Sequence, residues 1–289
     1  MSKAAGKTGN SPTALVAIEQ FFPEEKRIVT DSLAIKFLQG STSAMVRLCR
    51  AVFIRDWIVN MSEKSAPGLY GGILCRKRYI DDKLFELITK MDAVVNLGAG
   101  LDTRLYRPMF LGKLPAWELD QPENISSKRK CVNQALGLIP DKVILVPVDF
   151  DTEDIEQVLC SSGYTFDKVT FFIWEGVTQY LTIDGIQLTF ELLSKAMKGS
   201  RLAFTYVNRK FIDGDDLFNW SNGYKRFVKT GIWKFGEYPE NWSSFLEQFG
   251  WKVIEDIDYG QLSDVYIKPL DRNLVRASSL ERILFAEKH

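Results

Sequence analysis

The fold class is indicated most clearly by the stretch Val94-Val-Asn-Leu-Gly-Ala-Gly-Leu-Asp-Thr-Arg104. Its first part is short and apolar, as expected of a buried strand, and two glycines follow at once. Glycine at positions 98 and 100 lets the backbone turn sharply and approach a ligand that a Cβ atom would exclude. The third glycine of the dinucleotide-binding turn would fall at Thr103, which counts against NAD or FAD as the ligand. The stretch predicts a strand that ends in a ligand-binding turn.

Short apolar runs and helical stretches alternate on the C-terminal side of this turn. The seven apolar runs lie at 93–97, 116–119, 143–148, 169–174, 201–207, 251–257 and 282–286. The helical stretches between them lie at 121–137, 152–162 and 184–198, and no clear crossover helix directly precedes the last run. Such alternation predicts an α/β fold with a mostly parallel sheet and helices on both faces.

Composition and hydrophobic pattern divide the rest of the chain into segments. Residues 1–11 are small and polar and predict a disordered tail, and residues 12–289 predict a single domain. Within it, 12–91 predict a helical cap, with a short helix capped at Asp31, a long amphipathic helix at 44–59, a loop at 67–72 and a helix at 78–91. The aromatic and charged segment 209–240 interrupts the α/β core of residues 92–289, and we expect it to cover something.

Composition removes several classes of function. The chain has 289 residues with 37 Lys+Arg and 37 Asp+Glu, so its formal charge is zero and a nucleic-acid partner is not expected. His289 is the only histidine, which excludes histidine-based triads, metal sites and general bases. No metal-ligand spacing is visible, and the four cysteines are predicted to be small buried hydrophobes. No signal peptide or membrane span is expected, so the predicted location is the cytoplasm.

Polar side chains follow four successive strands of the predicted sheet. Gly98-Ala-Gly100 follows the first, Asp120 the second, Asp149-Phe150 the third, and Glu175 with Tyr180 the fourth. Ligands of open parallel sheets bind beyond these carboxyl ends, near the point where the strand order reverses. Asp120 can accept both hydroxyls of a ribose, while Asp149 and Phe150 suit an adenine. The sequence therefore predicts a nucleoside at this edge, although each residue alone could be an ordinary cap.

These motifs also carry a resemblance to a known family. The glycine turn, Trp117-Glu-Leu-Asp-Gln-Pro122, Asp149-Phe150, Trp174-Glu-Gly-Val-Thr-Gln-Tyr-Leu181 and Arg76-Lys-Arg78-Tyr-Ile-Asp-Asp82 resemble the leucine carboxyl methyltransferase family. The resemblance implies a class I methyltransferase (Rossmann-like) fold whose last strand is antiparallel, with S-adenosylmethionine as cofactor. It implies that the cofactor is bound by the following residues: Arg76 or Arg78 at the methionyl carboxylate, Gly98, Ala99 and Gly100 beneath it, Asp120 at the ribose, Asp149 and Phe150 at the adenine, and Glu175 near the amino group or the substrate entrance. Asp102 and Arg104 could instead hold the turn through a local ion pair.

The acceptor is less well specified than the cofactor. A carboxylate is already ionised at pH 7 and needs no base, so the scarcity of histidine favours transfer to oxygen of a small molecule, either a carboxylate, which is the first choice, or an acidic hydroxyl. The candidate catalytic residues are Glu175, Tyr180 and Tyr206. An acceptor pocket is expected to use about a third of nine aromatics: Tyr70, Trp174, Tyr180, Tyr206, Phe218, Trp220, Tyr224, Trp233 and Phe235. The basic run Lys128-Arg129-Lys130 is predicted to be a solvated helix face.

Three alternatives remain open at this stage. The first is a methyltransferase that acts on carbon, on nitrogen, or on a protein or modified nucleoside. The second is a nicotinamide oxidoreductase, which Thr103 disfavours. The third is a module that binds S-adenosylmethionine without catalysis. The oligomeric state is not predicted.

Overall fold

The computed structural model describes residues 10–150, 152–272 and 274–289. Within the described residues, five α-helices precede the sheet: α1 Asn10–Glu19, α2 Ala34–Phe37, α3 Gly40–Leu48, α4 Val52–Ser65 and α5 Leu69–Leu87. The alternating part that follows contains β1 Ala93–Leu97, β2 Ala116–Asp120, α6 Pro122–Leu136, β3 Val143–Pro147, α7 Ile155–Ser161, β4 Thr170–Trp174, α8 Ile183–Ser194 and β5 Arg201–Val207. The remaining elements are α9 Arg209–Asp213, α10 Ser221–Gly223, a π-helical turn Tyr224–Val228, α11 Trp242–Glu247, β6 Trp251–Asp258, α12 Tyr259–Tyr266 and β7 Glu281–Lys288.

The strands form one seven-stranded sheet in the order β3-β2-β1-β4-β5-β7-β6. Strands β1 to β5 pair in parallel, and β7 is antiparallel to both β5 and β6. The predicted mostly parallel α/β sheet with an antiparallel last strand is therefore confirmed. The strand order reverses between β1 and β4, so the loops after these two strands diverge and leave a crevice at their carboxyl ends.

Each face of the sheet packs into its own apolar core because side chains alternate along a strand. In β4, Phe171 and Ile173 belong to the core shared with the N-terminal helices, whereas Phe172 and Trp174 belong to the opposite core. Both cores are made mainly of aliphatic and aromatic side chains that are almost wholly buried. The sheet is thus covered on both faces, as its near-continuous apolar strands predict.

The helical cap differs from its prediction in two places. The predicted helix at 44–59 is two helices, α3 and α4, which are separated at residues 49–51. The predicted loop at 67–72 is shorter, because α5 begins at Leu69, directly after Gly68 in a left-handed conformation with φ +77°. Gly71 and Gly72 lie inside α5, where a Cβ atom would approach Arg276 O within 2.2 Å and the Tyr259 ring within 2.7 Å. These glycines permit close packing and do not mark a loop.

Three smaller predictions can also be compared with the structure. Asp31 is not the N-cap of the short helix, which is Leu33, but its Oδ1 accepts hydrogen bonds from the backbone N–H groups of Leu33 and Ala34. The predicted tail at 1–11 lies outside the described residues except for positions 10 and 11, which form the first turn of α1. Cys49, Cys75 and Cys131 are buried as expected, but Cys160 is exposed.

Candidate functional site

A cavity of about 510 Å³ lies at the carboxyl ends of β1, β2 and β4. The predicted residues that line it are Gly98, Ala99, Gly100, Asp120, Glu175, Tyr180 and Arg76. Helices α4 and α5 form one side, and residues of segment 209–240 form another. The structure therefore brings most of the predicted site residues together at the point where the strand order reverses.

The glycine turn after β1 is held against β2 by its backbone. The N–H groups of Gly98 and Ala99 both donate to Leu119 O, at 2.8 and 3.0 Å. Gly98 has φ +73°, and a Cβ atom there would lie 2.4 Å from Val177 Cγ2. Gly100 also has a positive φ, +44°, but nothing lies within 4 Å of its would-be Cβ. Packing therefore requires the first glycine, whereas the second leaves open space within the cavity wall.

Asp120 is fixed at the end of β2 with its carboxylate in the cavity wall. Its Oδ2 accepts a hydrogen bond from the Gly100 N–H at 2.6 Å. Its Oδ1 accepts from the Gln121 N–H and from Asn124 Nδ2, both at 2.7 Å. Oδ1 already accepts two hydrogen bonds and Oδ2 only one, so Oδ2 can accept a further bond, and this geometry is compatible with a ribose hydroxyl. The ribose contact itself stays a prediction.

A network of buried ion pairs forms the floor of the cavity. Arg76 on α5 binds Glu175 Oε1 through Nε at 2.9 Å and Glu281 Oε2 through Nη1 at 3.0 Å. Arg104 binds Asp102 Oδ2 at 2.5 Å and Glu175 Oε2 at 3.2 Å. The expected ion pair between Asp102 and Arg104 is confirmed, and both residues belong to a larger network that joins α5, the glycine turn and the ends of β4 and β7.

Lys77 belongs to this network, although the sequence analysis assigned it no role. Its Nζ lies 3.2 Å from Glu175 Oε1 and 3.8 Å from Asp102 Oδ2. Burial alone would raise the pKa of Glu175, but the positive charges of Lys77, Arg76 and Arg104 outweigh it and lower that pKa to about 2. Glu175 is therefore ionised at neutral pH and is a poor proton acceptor. The string Arg76-Lys-Arg78 contained the signal, since its middle cation lies only about 100° from Arg76 around the helix.

Asn96 is a second cavity residue that was missed. It lies two positions before Gly98 within β1, is 2% exposed, and lines the cavity. Its Nδ2 has no hydrogen-bond partner among the described residues. A buried amide without a partner is costly, which favours a polar ligand beside it. The signal was an amide within an otherwise apolar strand.

Lys128 corrects the prediction that 128–130 is a solvated face. Its side chain is fully buried, and its Nζ donates to Glu118 Oε1 at 2.7 Å and to Ala99 O at 3.3 Å. Tyr106 Oη donates to the other oxygen of Glu118 at 2.5 Å. Only Arg129 and Lys130 are exposed. The buried lysine thus supports the glycine turn from below.

Among the predicted site residues that do not line the cavity, Arg78 and Tyr206 are directed away from it. Arg78 is two positions beyond Arg76, about 200° around α5, and its half-exposed side chain pairs with Asp82 at 2.8 Å. Of the two arginines, Arg76 lines the cavity and Arg78 does not. Tyr206 is fully buried in the core on the opposite face of β5 from Thr205, and its Oη donates to Asp256 at 2.7 Å. Strand alternation directs it away from the site, so it is not a catalytic candidate.

Asp149 and Phe150 follow β3 and do not line the cavity. The Asp149 N–H donates to Glu153 Oε2 at 2.7 Å, and Phe150 packs partly buried against the core. Their strand lies beside β2, so they are near the expected adenine position in the sheet. The adenine assignment therefore stays a prediction.

Segment 209–240 lines the cavity, as expected of a cover. Of the nine candidate aromatics, the cavity wall contains Tyr180, Trp220 and Trp233, which is a third, and Phe227 joins them. Phe227 and Trp233 stack with ring centroids 5.0 Å apart and planes inclined by 19°. The other side of the cavity thus has an aromatic wall facing the charged floor.

Over the described ranges, no group of three or more His, Cys, Asp or Glu side chains could hold a metal ion. None of the helices in the same ranges has both the length and the apolar character needed to cross a bilayer.

Comparison with known proteins identifies the family. Residues 11–194 match the leucine carboxyl methyltransferase family. A Bacillus subtilis protein named "Putative S-adenosyl-L-methionine-dependent methyltransferase YktD" is 26% identical over 244 residues, which cover 81% of this chain and 77% of that protein. A Mycolicibacterium paratuberculosis protein of the same description is 28% identical over 276 residues, covering 88% and 85%.

Solved structures share the fold. The Thermobifida fusca protein named "putative methyltransferase" superposes with a TM-score of 0.57 at 14% identity, over 81% of this chain and 88% of that one. Because the matched region of the family contains most of the helical cap and the strands β1, β2 and β4 at whose ends the cavity lies, the resemblance inferred from the motifs is confirmed. This chain belongs to the leucine carboxyl methyltransferase family.

Proposed function

We propose that this protein transfers a methyl group from S-adenosylmethionine to a carboxylate oxygen of a small molecule. The methyltransferase class and its cofactor follow from the family and from the names of its relatives. The choice of oxygen, of a carboxylate and of a small acceptor is our inference from the site.

The cavity residues fit the cofactor. Gly100 leaves space where a Cβ atom would otherwise project, and Asn96 offers a buried amide without a partner among the described residues. When bound, S-adenosylmethionine supplies a methyl group on a sulfonium sulfur, and in-line attack by an acceptor oxygen forms the O–C bond while the C–S electron pair stays on sulfur. The protein's part is to hold the cofactor in the crevice, orient the acceptor and exclude water.

One observation carries the choice of a carboxylate: Glu175 and Asp102, two of the four acidic groups in the cavity wall, are poor bases. Glu175 is held by three cations with its pKa near 2, and Asp102 also has a lowered pKa, because Arg104 and Lys77 outweigh the effect of its burial. Neither can take a proton from a phenol, whose pKa is about 10. A carboxylic acid, with a pKa of about 4, arrives already ionised and needs no base.

The test has two steps. A calorimetric titration of the protein with S-adenosylhomocysteine, with NAD as control, should show binding of the first compound alone. The protein is then incubated with S-adenosylmethionine labelled in its methyl group and a panel of carboxylic acids with matched phenols and amines. We expect label only in the acids, and we expect mild alkali to release it as methanol because methyl esters hydrolyse.

Other outcomes would assign the protein differently. Alkali-stable label in phenols, amines or carbon acids would replace the carboxylate acceptor with another. Binding of S-adenosylhomocysteine without transfer to any acceptor, by folded protein, would favour the non-catalytic module. Binding of NAD instead would overturn the cofactor.

A further inference from the structure

Arg226 differs from the other charged residues in the cavity wall. Arg76 and Lys77 are both engaged by Glu175, and Asp102 is engaged by Arg104 and Lys77. Arg226 lines the same cavity but forms no ion pair with a carboxylate in the described ranges. Its guanidinium lies 5.2 Å from the centroid of the Phe227 ring. Its charge is therefore available to a ligand.

The backbone around Arg226 is unusual. Arg226 lies in the π-helical turn Tyr224–Val228, within the segment that covers the cavity. Such turns are rare and frequently mark functional sites. Lys225 and Arg226 are both exposed to solvent, but only Arg226, together with Phe227, lines the cavity. The cation is thus set beside an aromatic wall that also contains Trp220 and Trp233.

The charges in the rest of the cavity wall bear on the role of Arg226. The cavity wall away from the cover contains two cations and four carboxylates: Arg76, Lys77, Asp102, Asp120, Glu175 and Glu281. Arg104 lies beneath this wall and pairs with Asp102 and Glu175, so one carboxylate is left in excess, a balance that suits a cationic cofactor. The cations of this wall are already paired with its carboxylates, so Arg226, beside the aromatic rings, is the lining cation best able to attract an anionic acceptor.

We propose that Arg226 binds the carboxylate of an aromatic carboxylic acid, whose ring packs against Trp220, Phe227 and Trp233, and thereby determines acceptor specificity. This inference rests on the proposed function. A guanidinium can hold one carboxylate oxygen by a charge-assisted hydrogen bond and leave the other to form the new O–C bond as the C–S bond breaks. The ester product is neutral, so its attraction to Arg226 falls and its release is favoured.

The test measures binding to protein saturated with S-adenosylhomocysteine. The probes are benzoate, phenylacetate and indole-3-acetate, each paired with its primary amide, which has a similar shape but no charge. We expect at least one acid to bind about 10- to 100-fold more tightly than its amide. Arg226→Met should abolish that preference, and Arg226→Lys should restore part of it. Lys225→Met, which removes the neighbouring exposed cation, should bind like the wild type.

The outcomes separate this inference from the function on which it rests. If the folded wild-type protein does not bind S-adenosylhomocysteine, the proposed function is refuted. Normal binding of S-adenosylhomocysteine with no acid preferred over its amide, or a preference that survives in Arg226→Met, would overturn only the role of Arg226. In steady-state assays of an accepted acid, Arg226→Met should raise KM much more than it lowers kcat, and its affinity for S-adenosylhomocysteine should be unchanged.

Discussion

The carboxylate of Asp120 accepts a hydrogen bond of 2.6 Å from the backbone N–H of Gly100, and the two residues lie at the ends of neighbouring strands. The same side chain binds the first turn of α6 through Gln121 and Asn124. Asp120 therefore sets the shape of the glycine turn as well as offering acceptor atoms to the cavity. A substitution there affects binding by both routes.

Asp120→Ala should weaken S-adenosylhomocysteine binding by about 2–4 kcal/mol, because it removes charge-assisted hydrogen bonds to the ligand and loosens the turn. Asp120→Asn should lose less, since its amide oxygen can still accept from the Gly100 N–H. Calorimetric titration measures both, with the exposed neighbour Glu123→Gln as control. An unchanged affinity in folded Asp120→Ala would remove this residue from the cofactor site.

Alanine at the two glycines should separate stability from binding. Gly98→Ala should lower the free energy of unfolding by about 1–3 kcal/mol through overpacking against Val177, with left-handed strain in addition. Gly100→Ala meets no atom within 4 Å, so it should lose only the strain energy but weaken S-adenosylhomocysteine binding. Urea denaturation and calorimetry distinguish the two effects. The double variant Gly98→Ala/Val177→Ala should recover part of the stability, and no recovery would show that the clash is not the cause.

The buried pair of Glu118 and Lys128 should matter for stability more than a surface charge does. Lys128→Met leaves a carboxylate buried without its cation and should cost about 3–5 kcal/mol in urea denaturation. Arg129→Met, at the exposed next position, should cost little. The double variant Glu118→Gln/Lys128→Met should cost less than the sum of the two single changes. Equal effects of Lys128→Met and Arg129→Met would contradict the buried pairing.

Stability should fall in acid partly through Glu175. Its pKa is lowered from 4.5 to about 2 in the folded protein, so the folded state holds the proton less tightly than the unfolded state does. Its contribution is fully present above about pH 4.5 and is lost as the pH falls toward 2. The unfolding free energy of the wild type should therefore fall more steeply in that window than that of Glu175→Gln. Glu247→Gln, at an exposed position, should follow the wild type, and parallel curves for all three would argue against the ion-pair network.

The bounds of the strands and the position of the site could be predicted from the sequence. Apolar runs that alternate with amphipathic stretches can bury their apolar faces in few arrangements. Each end of every strand was therefore predicted with an error of at most two residues. The same local logic located the cavity, because residues that directly follow parallel strands must meet at one edge. Gly98, Gly100, Asp120 and Glu175 could be placed there for that reason.

The folded structure was needed to show which of the polar residues line the cavity. Arg76 and Arg78 are equivalent in sequence, but the helix directs one into the cavity and the other toward Asp82. Lys128 has the sequence context of a solvated lysine, yet the packing of α6 against β2 buries it on Glu118. Helix rotation, strand alternation and long-range ion pairing depend on partners far away in the chain. A local sequence pattern does not identify these distant partners. The ion-pair network and the place of Arg226 in the cavity wall could therefore be seen only in the folded structure.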